Sequence, residues 1–344
     1  MMPFPFDYEL PAALIAQEPV EPRDHARLLV LCRASGALAH RHVYDLPELL
    51  SPGDLLVLND TRVLPARLLG RRASTGGKWE GLFVQQLPDG SWELLCQTRG
   101  RLHPGERIHV DPGPLELELI AKRPDGRWKA RPCTDASVLD LLDQFGRMPL
   151  PPYIRKGTAH AGDRTRYQTV YARQPGAIAA PTAGLHFTPE LFDHLRQRGV
   201  AWAFVTLHVG LGTFRPIEVA DYAHHPMHRE WGELPAAAVA AITACRQRGG
   251  RVVAVGTTTV RVLETAGRLG PLQPWSGETD LFIHPPYEFR VIGGLLTNFH
   301  LPRTTLLLLV AALAGAEQLR AAYTAAIAQR YRFYSYGDAM LVLP

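Results

Sequence analysis

Cysteine is scarce: four residues in 344, Cys32, Cys96, Cys133 and Cys245, with no CxxC pair. This excludes a disulfide framework and a cysteine zinc site, and it suits a reducing cytoplasm, which is the expected location. Long apolar runs are also missing. The longest, TTLLLLVAALAGA from Thr304 to Ala316, is too short to span a bilayer and reads as a buried helix, so no membrane partner is expected. The opening MMPFPFDYEL has neither a basic nor an apolar stretch, so no signal peptide is expected. No internal repeat or low-complexity tract is visible. What remains is an ordinary globular composition, 46% apolar and 20% charged, long enough for two domains.

Two familiar motifs are present only in part. HVGLGTF has G-x-G at Gly210 and Gly212, but the third glycine of a dinucleotide fingerprint would fall where Arg215 stands. Those glycines instead let backbone approach a small ligand, or make a turn. HHPMHRE, ending at Glu230, gathers His225 and His228. Pro226 argues against a regular helix there and no HExxH exists, so acid–base work is favoured over a metal.

The charge is unevenly placed. From Arg62 to Arg173 there are 19 Lys and Arg against 12 Asp and Glu, while the remainder is slightly acidic. That is the footprint of an anionic partner, or else a solvated face rich in arginine. Within this region short apolar strands alternate with turns. Pro-Asp-Gly at Pro88 to Gly90 and again at Pro124 to Gly126 separates strand pairs, which predicts hairpins and a small antiparallel barrel. Trp79, Trp92 and Trp128 lie here. With basic neighbours they could stack on single-stranded RNA, although barrel packing alone accounts for at least two of the three.

Elsewhere the pattern is α/β. Thr188 caps a helix that starts at Pro189 and stops at Gly199, and Trp202 to Val209 reads as a strand. Helices are predicted over Pro235 to Arg248, from Val260, over Leu301 to Leu313, and over Glu317 to Arg330. Arg251 to Val255 is a further strand, and LLVLCR and DLLVLND add strands near the N-terminus. The expected architecture is an α/β sandwich domain from residues 1–65 plus 152–344, with a small antiparallel β-barrel inserted over 66–151. Residues 151–173 read as a loop leading into a short helix.

Polar motifs recur beside strand and helix ends, where α/β folds place their chemistry. They are Asp60 and Arg62 in LNDTRVLPARL; Thr182, Gly184 and His186 in APTAGLHFT; His208, Gly210 and Gly212; and His228 with Glu230. Further along come Thr257, Thr258 and Arg261 in VAVGTTTVRVLE, Asn298 and His300 in NFHLP, and Asp338 in YGDAM. Any one has a bland reading as a turn former or a cap. Their number favours a multi-loop active site.

Taken together, these strings resemble the S-adenosylmethionine:tRNA ribosyltransferase-isomerases of queuosine biosynthesis. The markers NDTRVLPARL, PPYI, RYQTVYA, APTAGLHFT, HVGLGTF, MHRE, VAVGTTTVR, GETDLFI, NFHLP and YGDAM occur in that order over essentially the whole chain. The resemblance implies that S-adenosylmethionine, a co-substrate, donates its ribosyl unit to 7-aminomethyl-7-deazaguanine at the tRNA wobble position. Adenine and methionine leave and epoxyqueuosine forms. It implies no metal or redox cofactor and favours a monomer. Under it, His186 and His208 are the first candidates for proton transfer, followed by His228 and Glu230. Asp60 and Asp338 are candidates for the amine or the ribose hydroxyls, and Arg62 and Arg261 for a carboxylate or phosphate. The rivals are an S-adenosylmethionine-dependent RNA methyltransferase, which would release S-adenosylhomocysteine, and a non-catalytic RNA-binding protein, which would release nothing. A zinc hydrolase built on His224 to Glu230 would need stoichiometric metal.

Overall fold

In chain order the elements are β1 (Arg27–Cys32), β2 (Leu38–His42), α1 (Leu46–Leu49), β3 (Leu55–Asn59) and β4 (Thr61–Val63). Then come β5 (Arg67–Arg72), β6 (Lys78–Gln86), β7 (Trp92–Thr98), β8 (Arg107–Asp111), β9 (Glu116–Lys122), β10 (Trp128–Pro132), α2 (Val138–Phe145) and α3 (Asp163–Arg166). The last part holds β11 (Gln174–Ala177), a 3₁₀ turn (Thr182–His186), α4 (Pro189–Gln197), β12 (Ala201–Leu207), β13 (Glu230–Leu234), α5 (Ala236–Gln247) and β14 (Val252–Val255). It ends with α6 (Thr257–Arg268), β15 (Trp275–Thr279), β16 (Gly294–Asn298), α7 (Thr305–Ala314), α8 (Ala316–Ala328) and β17 (Ala339–Leu343). This computed structural model describes residues 7–210, 222, 225 and 227–344.

The chain forms two units, Met1–Arg62 with Gln168–Pro344, and Val63–Tyr167. The expected insert ended at residue 151, but residues 152–167 belong to the barrel unit. The reason is local bonding: Arg164 on α3 donates to the Asp143 carboxylate and to the Gly146 carbonyl at the end of α2, and Arg67 of β5 donates to the Gly157 carbonyl.

In the barrel unit six strands close in the order β10-β7-β6-β5-β8-β9, each pair antiparallel. Both Pro-Asp-Gly sequences turn hairpins, with Gly90 and Gly126 at φ +79° and +87°. Trp79, Trp92 and Trp128 are all buried, so all three are packing residues and offer no exposed stacking face.

In the other unit nine strands run in the order β15-β13-β12-β3-β14-β16-β17-β1-β2. Strands β12, β3, β14 and β16 are mutually parallel, so their carboxyl ends share one edge. Strands β13 and β17 run antiparallel to their neighbours β12 and β16, and their first residues therefore reach the same edge. Strand β3 is buried at all five positions, as a strand covered on both faces must be. On one face Leu56, Leu58, Val253, Val255, Leu296 and Leu341 pack against Ala183, Phe187, Leu191 and Leu195 of the 3₁₀ turn and α4. Thr188 caps α4 by accepting from Leu191 N at 3.1 Å.

Helix α7 starts at Thr305, not Leu301. Arg303 sits at φ +56°, which no α-helix tolerates, and Thr304 caps the helix by accepting from Leu307 N. Among the described residues no single helix is long and apolar enough to cross a membrane. The pair α7 and α8 passes only together, bent by 114°.

Candidate active site at the carboxyl edge of the sheet

The edge is organised by Asn59, the last residue of β3, which is fully buried. Its Oδ1 accepts from the amides of Thr61 (3.1 Å) and Leu207 (3.0 Å). Its Nδ2 donates to the Leu207 carbonyl (3.0 Å) and to Thr258 Oγ1 (3.1 Å). One side chain thus ties β3, the end of β12 and the start of α6 together. A carboxamide fits because it alone presents an acceptor and a two-proton donor on a short planar arm.

Asp60 follows. Its Oδ1 accepts from Thr206 Oγ1 at 2.7 Å and its Oδ2 accepts from Arg173 Nη2 at 3.0 Å. The Arg173 guanidinium lies 4.4 Å from the Phe204 ring centroid. Arg173, rather than the exposed Arg62, is therefore the cation beside this carboxylate.

His208 stands one residue beyond β12. Its Nδ1 is 2.8 Å from Thr61 Oγ1, which also lies 3.5 Å from the Gln174 carbonyl. The tautomer with its proton on Nδ1 satisfies both contacts and leaves the lone pair on Nε2. The ring stacks on Trp231, with centroids 5.2 Å apart and planes at 21°. A Cβ at Gly176 would fall 2.7 Å from Nε2, so glycine there leaves the space that nitrogen occupies. Burial lowers the His208 pKa, only partly opposed by Asp60, and the ring is neutral at neutral pH.

His186 ends the 3₁₀ turn and is buried. Burial pushes its pKa down to about 4, against an opposing pull from Asp338. Its Nε2 lies 3.3 Å from Asn298 Nδ2, and the ring also donates to the Arg23 carbonyl. The same Asn298 amide donates to the Tyr334 carbonyl at 3.1 Å, while Asn298 Oδ1 is buried without a partner among the described residues. Beside this turn Tyr171 Oη and Thr169 Oγ1 are likewise buried, with no hydrogen-bond partner among the described residues. A Cβ on Gly184 would meet Tyr171 Oη at 2.0 Å, so only glycine allows the turn to lie there; Thr182 is half-buried on it.

On the other face Glu230 opens β13. Its Oε1 accepts from Gly210 N at 2.7 Å and its Oε2 pairs with Arg261 Nη1. Arg261 is buried and also donates through Nε to the Leu281 carbonyl and through Nη2 to the Thr279 carbonyl. Its charge is paired with Glu230, which leaves it less suited to a ligand carboxylate than a free cation would be. A small cavity is lined by these two residues with His225, Met227, His228, Thr257, Thr258 and a wall from Leu281 to Ile283 and α7. His228 is exposed at this cavity.

Two expected ligand contacts have structural tasks instead. Asp338 accepts from the amides of Arg27 (3.1 Å) and Arg332 (2.8 Å), fixing the turn into β17. His300 bonds Thr297 Oγ1 at 2.8 Å, and its amide donates to the Tyr323 hydroxyl oxygen at 2.9 Å. Gly212, His224 and Pro226 lie outside the described residues. Among the described residues no group of three His, Cys, Asp or Glu could hold a metal. Sequence reasoning missed Arg173, Thr206, Trp231 and Gly176, whose places become visible only once β12, β13 and β11 are set beside β3.

The family model described as queuosine biosynthesis protein matches residues 4–342. The S-adenosylmethionine:tRNA ribosyltransferase-isomerase of Thermosynechococcus vestitus is 50% identical over 341 residues, 98% of this chain and 95% of that one. Its counterpart in Symbiobacterium thermophilum is 53% identical over 339 residues, 98% of both chains. The crystal structure of S-adenosylmethionine tRNA ribosyltransferase from Thermotoga maritima matches with a TM-score of 0.57 and 40% identity, covering 99% of this chain and 100% of that one. Matches of this length, on a chain whose polar motifs gather at one sheet edge, place it in the queuosine biosynthesis protein family.

Proposed function

We propose that the protein transfers the ribosyl unit of S-adenosylmethionine to 7-aminomethyl-7-deazaguanine at the tRNA wobble position and isomerises it to give epoxyqueuosine, with release of adenine and methionine. The observation that carries this reading is end-to-end identity of about half to relatives that bear this enzyme's name. It rests as well on the neutral histidines and paired carboxylates at the sheet edge.

The chemistry assigns roles. The sulfonium acidifies the adjoining ribose carbon, and a neutral base removes a proton there to form an ylide. Adenine departs with a proton, the neutral amine attacks, and methionine leaves as the ring closes. His208 fits the base, because its bond to Thr61 leaves the lone pair on Nε2 and burial keeps the ring neutral. His186, held at both nitrogens, orients its turn and Asn298 rather than carrying a proton at neutral pH. Asp60 with Arg173 is suited to the acceptor amine or a ribose hydroxyl, and His228 to proton delivery at the cavity. Neither a metal nor a redox cofactor enters these steps, so full turnover is expected after treatment with chelator. The protein acts as a monomer in the cytoplasm, with the basic barrel unit contributing contacts to tRNA phosphates.

The test is a product assay with S-adenosylmethionine and tRNA bearing 7-aminomethyl-7-deazaguanine. TRNA-dependent release of adenine and methionine, with the added mass on the wobble base, is expected. S-adenosylhomocysteine in their place would mean methyl transfer, and no turnover would leave an RNA-binding protein.

A further inference from the structure

Helix α6 begins without a side-chain cap, as do α5 and α8, but it alone of these three opens on a cavity-lining residue that is buried. Helices α2, α4 and α7 are capped by Ser137, Thr188 and Thr304, each accepting from a first-turn amide. Helix α6 has Gly256 at its N-cap, with no side chain to accept. Its first three residues, Thr257, Thr258 and Thr259, are nonetheless buried. A buried helix start with open amides is costly unless something satisfies them. Thr258 Oγ1 is taken by Asn59, and Thr259 Oγ1 donates to the Val255 carbonyl at 2.8 Å. The Thr257 hydroxyl has no hydrogen-bond partner among the described residues, although the residue is only 6% exposed and lines the cavity.

The cavity limits what can sit there. Open amides and the positive end of a helix dipole call for an anion. The walls next to it are apolar: Met227, Leu281, Phe282, Ile283, Leu306 and Leu309. The cation on the wall, Arg261, is already neutralised by Glu230. A nucleic-acid phosphate needs a cationic groove, and the arginine of this small pocket is already paired. A carboxylate carried on a short apolar chain fits both features.

We propose that the start of α6 and the Thr257 hydroxyl bind the carboxylate of the co-substrate's methionine end, with its methylene chain against the Leu281 to Ile283 wall. The inference rests on the reading of the chain as an S-adenosylmethionine ribosyltransferase-isomerase and places one end of that molecule. Glycine at position 256, held at φ +87°, brings no side-chain cap to compete for these amides.

The test measures binding without turnover. S-adenosylmethionine and its decarboxylated form, which lacks only the carboxylate, are titrated calorimetrically into the protein in the absence of tRNA. The decarboxylated ligand is expected to bind at least about tenfold more weakly, as for loss of charge-assisted hydrogen bonds. Thr257→Val is expected to weaken S-adenosylmethionine several-fold and leave the decarboxylated ligand unchanged. Equal affinities for the two ligands in the parent protein would overturn the proposal even if the variant failed to fold. So would equal weakening of both by Thr257→Val. Tight, equal binding together with normal adenine release would sink this placement alone, whereas no binding and no adenine release would sink the enzyme reading with it.

Discussion

His208 is the residue we propose as the base. Replacing it with asparagine removes the base and keeps a polar group of similar shape. Turnover should fall by about 10²- to 10⁴-fold, with the melting temperature little changed because the ring is partly exposed. A rate near the parent's in single-turnover kinetics would remove His208 from proton transfer. His186 makes a different prediction. Its folded pKa of about 4 lies below the ordinary 6.5, so the unfolded chain takes up a proton before the native protein does. Its contribution is intact above about pH 6.5 and is lost as pH falls toward 4, amounting to about 3 kcal/mol. His300, pushed down to about 3 by burial, adds to the same loss. Urea midpoints between these pH values should therefore drop steeply, and the drop should shrink in His186→Asn. A flat profile in the parent would show that neither ring is held neutral by the fold.

Among the elements, those with their own local signals were legible. The cap at Thr188, the stop at Gly199 and the two Pro-Asp-Gly hairpins depend on residues adjacent in sequence, and they stand where expected. The start of α7 was placed too early because the apolar periodicity runs on through Leu301, while the break is set by the backbone of Arg303. The candidate site was legible as a set of motifs but not as a set of bonds. Nothing in LNDTR announces that Asp60 meets Arg173 while Arg62 faces solvent, since that depends on where β11 passes. Asp338 and His300 look like site residues in sequence, but their side chains serve the turns that present β17 and follow β16. At this scale Asn59 is the element most exposed to test. Asn59→Ala leaves the Leu207 amide and carbonyl without their partner and should cost about 2–4 kcal/mol, read from urea unfolding. Gly184→Ala forces a Cβ onto Tyr171 Oη and should displace the His186 turn, losing activity with a smaller loss of stability.

For the molecule as a whole the charge is divided between the units. The barrel unit is rich in arginine, yet many of its cations are already spoken for. Arg123 and Arg127 pair with Glu93, Lys129 with Asp89, and Arg72 with Glu106. Lys78 and Arg99 stand exposed along one barrel groove and are available to phosphates. Binding of tRNA should weaken steeply with salt, with a slope of log K against log salt near −0.7 to −0.9 per phosphate contacted. Lys78→Ala combined with Arg99→Ala should flatten that slope by about two such units. A slope unchanged by the double replacement would move the contacts elsewhere.

The order of strands in the large sheet has a consequence for synthesis. Strand β17 follows every other element in the chain, yet it lies between β16 and β1, with hydrogen bonds to both. Until it emerges from the ribosome, the hairpin β1–β2 has no place in the sheet, although it is translated first. The barrel, contiguous from 63 to 167, can close long before that. A nascent chain therefore carries a finished barrel and an unfinished sheet, with the edges of β16 and β1 open to mispairing until residues 339–343 arrive. The pairing of β16 with β17, and of β17 with β1, is thus among the last features of the sheet to be assembled.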